Sequence, residues 1–124
     1  CKLEFFAEKY QIEKDNIYAS ADAMLTYEII DLVCICTHNS SHAELISKCL
    51  KICNVLVEKP LCINEKETNE IMSIASQTKN ILMVGIQNRF DANIINFCNM
   101  IHDNLIGKVY YAQIGGGYRD EIPP

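Results

Sequence analysis

Three short polar groups carry the residues best suited to chemistry: Thr37-His38-Asn39, Glu58-Lys59-Pro60 and Gln87-Asn88-Arg89. The first follows the apolar run Leu32–Cys36, the second Val55–Val57, and the third Ile81–Val84, just past Gly85. The middle group is the most informative. A lysine beside a buried strand end is costly unless it has a task or a partner. Next to another cation its pKa falls, which suits proton transfer or hydrogen bonding to a reacting oxygen. Pro60 restricts Lys59 to extended geometry and so helps fix its direction. There is a plainer alternative. Loops are polar as a rule, and Glu58–Lys59 could be a simple exposed ion pair. That alternative does not explain why a Glu, a Lys and a Pro directly abut an apolar run.

The elements that must position these groups are legible from periodicity. Leu3, Phe6, Ala7 and Tyr10 form a helical stripe. Asn16–Ser20 is expected to be extended, and Ser20 to cap a brief helix carrying Met24 and Leu25. Ser41 with Glu44 has the spacing of a capping box, ahead of a helix with Leu45, Ile46, Cys49 and Leu50 on one face. Asn64 with Glu67 repeats that signal, with Thr68, Ile71, Met72 and Ala75 expected to face inward. Asp91 caps a further helix bearing Ile94, Cys98 and Ile101, and Gly107 is expected to stop it. Val109–Ile114 reads as a last strand of mixed polarity before Gly115, Gly116 and Gly117.

The first three strands are near-uniformly apolar rather than alternating. Such strands belong to a parallel sheet buried on both faces by helices. Ligands of open parallel sheets bind at the carboxyl ends of the strands. All three polar groups would therefore share one edge. Within the short loop Lys51–Asn54, Asn54 is the residue that best tolerates a left-handed turn.

Composition excludes several classes. The chain has 16 acidic against 11 basic residues and a net charge of -5, which argues against a nucleic-acid surface. Apolar runs such as Ile29–Cys36 are too short to cross a bilayer, and the start carries no secretory pattern. Seven cysteines without a C-x-x-C suit neither a zinc ribbon nor a thioredoxin-type site. They read as small buried hydrophobes in a reducing, cytoplasmic compartment. His38 and His42 stand at i, i+4, but nothing completes a metal set, so no metal is expected. His102 reads as a surface residue. No glycine precedes Gly85, so no G-x-G-x-x-G phosphate loop can follow an earlier strand.

Taken in order, the motifs resemble those of the Gfo/Idh/MocA oxidoreductases, the family of glucose–fructose oxidoreductase and inositol 2-dehydrogenase. Ile30-Asp31-Leu32-Val33 before Thr37-His38-Asn39-Ser40-Ser41-His42 is similar to D-x-V…T-P-N-x-x-H. Val55-Leu56-Val57-Glu58-Lys59-Pro60-Leu61 resembles the E-K-P strand end. Val84-Gly85 with Arg89-Phe90 resembles V-G…R-F, and Ile106-Gly107-Lys108-Val109 the I-G-x-V that leads into a second domain. Departures are His38 and Ala92 where the family often has proline, and a G-x-G-x-x-G unit that the chain does not contain.

The resemblance implies an α/β fold: the second half of a Rossmann-type doubly wound parallel sheet, plus the first strand of a C-terminal α/β domain. Residues 1–106 would be a partial NAD(P)-binding domain lacking the glycine-loop unit, and 107–124 the start of a substrate and oligomerisation domain. The implied activity is hydride transfer between the nicotinamide of NAD or NADP and a hydroxyl or keto carbon of a sugar, cyclitol or related polyol. The isolated chain would be an inactive fragment of a homo-oligomer. Lys59 would be catalytic, binding the substrate hydroxyl and assisting proton transfer. Thr37, Asn39, His42, Glu58, Pro60, Asn88 and Arg89 would lie on the cofactor. The competing expectation is a non-catalytic small-molecule-binding or oligomerisation module.

Overall fold

A computed structural model describes residues 2–113. Its elements run α1 (Lys2–Tyr10), α2 (Ala21–Tyr27), β1 (Leu32–Ile35), α3 (His42–Cys49), β2 (Asn54–Glu58), α4 (Glu65–Ser76), β3 (Leu82–Gly85) and α5 (Ala92–His102). Single 3-10 turns lie at Lys14–Asn16, Asn39–Ser41 and Gln87–Phe90. The first of these turns leads into the segment expected to be wholly extended.

Most helices start where a short side chain accepts from the free N–H groups of the first turn. The Ser20 hydroxyl accepts from the Ala23 N–H, opening α2. Asp91 accepts from Asn93 and Ile94, opening α5. Asn64 accepts from the Glu67 N–H at 2.9 Å, and the Glu67 carboxylate reaches back to the Ile63 N–H at 3.2 Å. That is a capping box in all but its last partner. Ser41 departs from expectation: its side chain makes no cap bond to α3. The 3-10 turn Asn39–Ser41 runs straight into the helix, and the Ser41 hydroxyl is used within that turn instead.

The end of α5 differs as well. Asn104, not Gly107, stops the helix. It takes a positive φ of 57°, the Leu105 N–H returns to the Met100 carbonyl at 2.9 Å, and the Asn104 N–H returns to Ile101 at 3.1 Å. These two bonds form a Schellman motif with asparagine in the left-handed position. Asn54 is not left-handed; it opens β2.

The strands form one parallel three-stranded sheet in the order β1-β2-β3. Val33 pairs with Val55 and Ile35 with Val57, while Val55 pairs with Leu82 and Val57 with Val84. These residues share one face, and α3 and α4 cover it. Ile35, Val55 and Val57 pack there against Ile46, Cys49, Leu50, Cys53 and Ile71. Each large aliphatic side chain buried this way contributes about 1.5–3 kcal/mol. The opposite face is apolar but open among the described residues: Leu32, Cys34 and Met83 are exposed. Burial on both faces, expected from the strand sequences, is therefore seen on one.

On α4, Ile71 is fully buried, Ile74 and Ala75 flank it, and Met72 points outward at 58% exposure. The inward stripe runs through residues 67, 68, 71, 74 and 75, and Met72 falls one step outside it. Residues 109–113 carry no regular element, and Ile114 to Gly117 lie outside the described residues. A single strand has nothing to pair with, and no partner strand stands beside 109–113 among the described residues. The chain divides into two compact units, Cys1–Ile86 and Gln87–Pro124. The sheet and its core belong to the first.

Candidate functional site

Parallel pairing delivers two of the polar groups to one edge of the first unit. Ile35 lies beside Val57, and Glu58 beside Gly85. The chain leaving β1 and the group Glu58-Lys59-Pro60 leaving β2 thus emerge together. Thr37, Asn39, Glu58, Lys59 and Pro60 are all exposed there. Gly85 lies beside Glu58 across the sheet: a Cβ at that position would make ordinary contact with the Val57 carbonyl oxygen at 3.4 Å and with the Glu58 carboxyl carbon at 3.9 Å.

Glu58 and Lys59 do not form the simple ion pair that their adjacency allows. Glu58 Oε2 accepts instead from the Lys59 backbone N–H at 3.0 Å. The carboxylate is folded back on the main chain, and the Lys59 ammonium makes no ion pair among the described residues. The Lys59–Pro60 peptide is cis.

On the β1 side, the hydroxyls form a short relay. Ser41 Oγ donates to the His38 carbonyl at 2.8 Å, and Thr37 Oγ1 stands 2.7 Å from Ser41 Oγ. A serine hydroxyl has one proton. Since Ser41 spends it on His38, Thr37 must donate to Ser41. Thr37 then presents only acceptor lone pairs outward.

His42 is placed differently from the other candidates. It is 0% exposed, the one buried polar residue among the described residues. Its Nδ1 lies 2.8 Å from the Pro60 carbonyl oxygen, and its Nε2 3.2 Å from that of Thr37. The first turn of α3 puts it there. His42, Ile46 and Cys49 occupy one inward stripe, so the helix that buries Ile46 also buries the imidazole.

Asn88 and Arg89 fall in the 3-10 turn Gln87–Phe90, which opens the second unit. Both are exposed. The first unit therefore assembles Thr37, Asn39, His42, Glu58, Lys59 and Pro60, and the second holds Asn88 and Arg89.

Two participants were missed from sequence. Ser41 reads as a helix cap yet orients Thr37. Its signal was the four-residue step from Thr37, which a 3-10 turn and helix start bring onto one side. Gly85 reads as a strand end yet flanks Glu58, which only the sheet register reveals.

Comparison with known proteins adds a class to this geometry. The model of an oxidoreductase family with an NAD-binding Rossmann fold matches residues 2–86. The chain belongs to the Gfo/Idh/MocA oxidoreductase family. The match spans the whole sheet and both polar groups of the first unit. Among relatives of this family, a myo-inositol 2-dehydrogenase of Thermotoga maritima is 28% identical over 99% of this chain and 36% of its own length. An inositol 2-dehydrogenase of Rhizobium meliloti is 34% identical over 77% of this chain and 27% of its own. The crystal structure of a probable dehydrogenase from Thermotoga maritima superposes with a TM-score of 0.78 at 28% identity, covering 86% of this chain and 32% of that one. The chain thus spans about a third of the length of the relatives it matches. No helix among the described residues is long and apolar enough to cross a membrane.

The donor set at the edge fits one end of a dinucleotide. A carboxylate, an acceptor hydroxyl, a side-chain amide and an ammonium stand together, which suits ribose hydroxyls and a carboxamide. The pyrophosphate end has a different requirement, a glycine-rich turn at a helix start. The glycines of this chain begin at Gly85.

Proposed function

We propose that the protein is an NAD(P)-dependent dehydrogenase acting on a hydroxyl or keto carbon of a cyclitol, sugar or related polyol. One observation carries the reading: the Lys59 ammonium is exposed and without an ion pair among the described residues, at the carboxyl edge of a parallel sheet, on a main chain held by the neighbouring Glu58 carboxylate. The family's NAD-binding description and the inositol dehydrogenases among the relatives support it.

In this reading the bound nicotinamide supplies the hydride chemistry. Lys59 donates a hydrogen bond to the reacting oxygen of the polyol and assists transfer of its proton. Glu58 faces the nicotinamide and its ribose, and Thr37 and Asn39 offer an acceptor and an amide to the same end. Pro60 shapes the turn, and Asn88 and Arg89 complete the cofactor side. The free thiols among the described residues, with Cys49 and Cys53 buried, support a reducing, cytoplasmic setting.

The test is turnover of the protein as its gene encodes it against a panel of cyclitols and sugars, with NAD and NADP offered separately, read by nicotinamide absorbance. Reduction of either cofactor by a polyol is expected. Cofactor binding with no turnover across the panel would favour a non-catalytic module instead.

A further inference from the structure

We infer that His42 is a positioning residue: a buried imidazole that ties the Lys59–Pro60 segment to the core helix α3 and so sets where the Lys59 ammonium stands. The inference rests on the role proposed for Lys59 above. It differs from the family resemblance, which puts His42 on the cofactor.

The argument is a count of donors. Both atoms that face the ring are main-chain carbonyl oxygens, Pro60 at 2.8 Å from Nδ1 and Thr37 at 3.2 Å from Nε2. A carbonyl only accepts, so a nitrogen bonded to it must donate. The neutral ring has one N–H, and the shorter contact gives it to Nδ1, facing Pro60. With 0% exposure and both nitrogens turned to main chain, the ring has no polar atom left for a ligand.

What the ring joins is informative. Pro60 is the residue after Lys59, and Thr37 lies two residues beyond β1. These are the two segments that carry the exposed polar side chains of the edge. His42 itself is anchored in the core by α3, on the same stripe as Ile46 and Cys49. The rigidity of the core thus reaches the edge through one side chain. A supporting group of this kind acts by fixing its neighbour's geometry, and a displacement of about 1 Å can cost up to about 100-fold in rate.

The test uses the protein as its gene encodes it, with the cofactor and the polyol it turns over fastest. His42→Phe keeps the ring's bulk and removes the bond to Pro60. His42→Asn places an amide N–H near the site of Nδ1, and His42→Gln one near Nε2. For His42→Phe, kcat should fall about 10- to 100-fold, by a larger factor than any rise in KM. His42→Asn should recover most of that loss, and His42→Gln should not. A purely structural role would lower the melting temperature of His42→Phe and leave its kcat per folded molecule unchanged; that result overturns the inference. Recovery by Gln in place of Asn also overturns it. Should His42→Phe fail to fold, the nitrogen NMR spectrum of the wild-type imidazole decides. A slowly exchanging proton on Nδ1 supports the tie to Pro60, and a ring protonated on Nε2 alone overturns it. Absence of turnover in the wild type would remove the dehydrogenase reading and the role of Lys59 with it, while the same spectrum would still report on the bond itself.

Discussion

The two ends of the same parallel sheet are both polar, yet they use their polar groups in opposite ways. At the amino end the asparagine side chains are consumed internally. Asn54 donates from Nδ2 to the Asp31 carbonyl at 2.9 Å and accepts on Oδ1 from the Ile81 N–H at 2.9 Å, so one side chain stitches the approaches to all three strands. Asn80 Nδ2 donates to the Leu50 carbonyl at 2.9 Å. At the carboxyl end the main chain is also tied, by His42 to Pro60 and by Glu58 to the Lys59 N–H. The side-chain heads are not. The Lys59 ammonium and the outward face of the Thr37 hydroxyl keep bonding capacity to spare. Polarity at a strand end is therefore no guide to a site by itself. The guide is polar capacity left unspent on a rigid support.

The sharpest way to break this contrast is Lys59→Ala. The side chain is exposed and without an ion pair among the described residues, so the melting temperature should hardly move, while kcat should fall about 10²- to 10⁴-fold. Normal turnover in steady-state assays would place the two ends of the sheet on the same footing.

Asn54→Ala should do the converse. It removes the partner of the Ile81 N–H and one of the two donors to the Asp31 carbonyl, and should cost about 0.5–1.5 kcal/mol of stability, read by denaturant titration, with kcat per folded molecule preserved. A loss of kcat with unchanged stability would sink the assignment of the amino end to structure.

A smaller effect comes from the thiols beneath that end. Burial pushes the Cys49 and Cys53 thiols above their ordinary pKa. The unfolded chain ionises first as pH rises, so the stability tied to these thiols is full below the unfolded thiol range and is lost as pH climbs through it. The denaturation midpoint should start to fall above about pH 8.5, and Cys49→Ala with Cys53→Ala should flatten that slope. A midpoint that stays level through that range in the parent protein would contradict it.

The smallest effect is expected at Lys48, a half-exposed lysine whose ammonium is engaged by the fold. It bridges Asp22 and Glu44, each at 2.9 Å, and the Asp22 bond holds its pKa up. Lys48→Met should barely shift the denaturation midpoint and leave turnover intact. Added salt should shrink even that difference. Lys48 and Lys59 then form a matched pair, one lysine used by the fold and one left to a ligand.

Much of this was readable in the chain. The three apolar runs, the Asn64–Glu67 and Asp91 caps and the inward stripe Ile46–Cys49–Leu50 follow from local preferences that need no distant partner. So does the placing of three polar groups after three strands. His42 itself was legible as a core position, because it lies one helical turn before Ile46. Its motif drew attention to a ligand role, and the stripe was the better witness. The Ser41 hydroxyl and Met72 went astray for a related reason: which of several competing partners a side chain meets depends on a one-residue change in phase.

By itself, the sequence determined the helices around the sheet, the strands β1 to β3, the parallel class of the sheet and the family, since periodicity, caps and ordered motifs are properties of neighbours along the chain. Tertiary structure alone decided which polar groups are spent and which remain. Asn54 reaches across to strands far away in sequence, Glu58 turns back onto the main chain, and one imidazole spans the Thr37 and Pro60 carbonyls. Hydrogen-bond capacity is allotted by distance in space, and only the folded chain sets those distances.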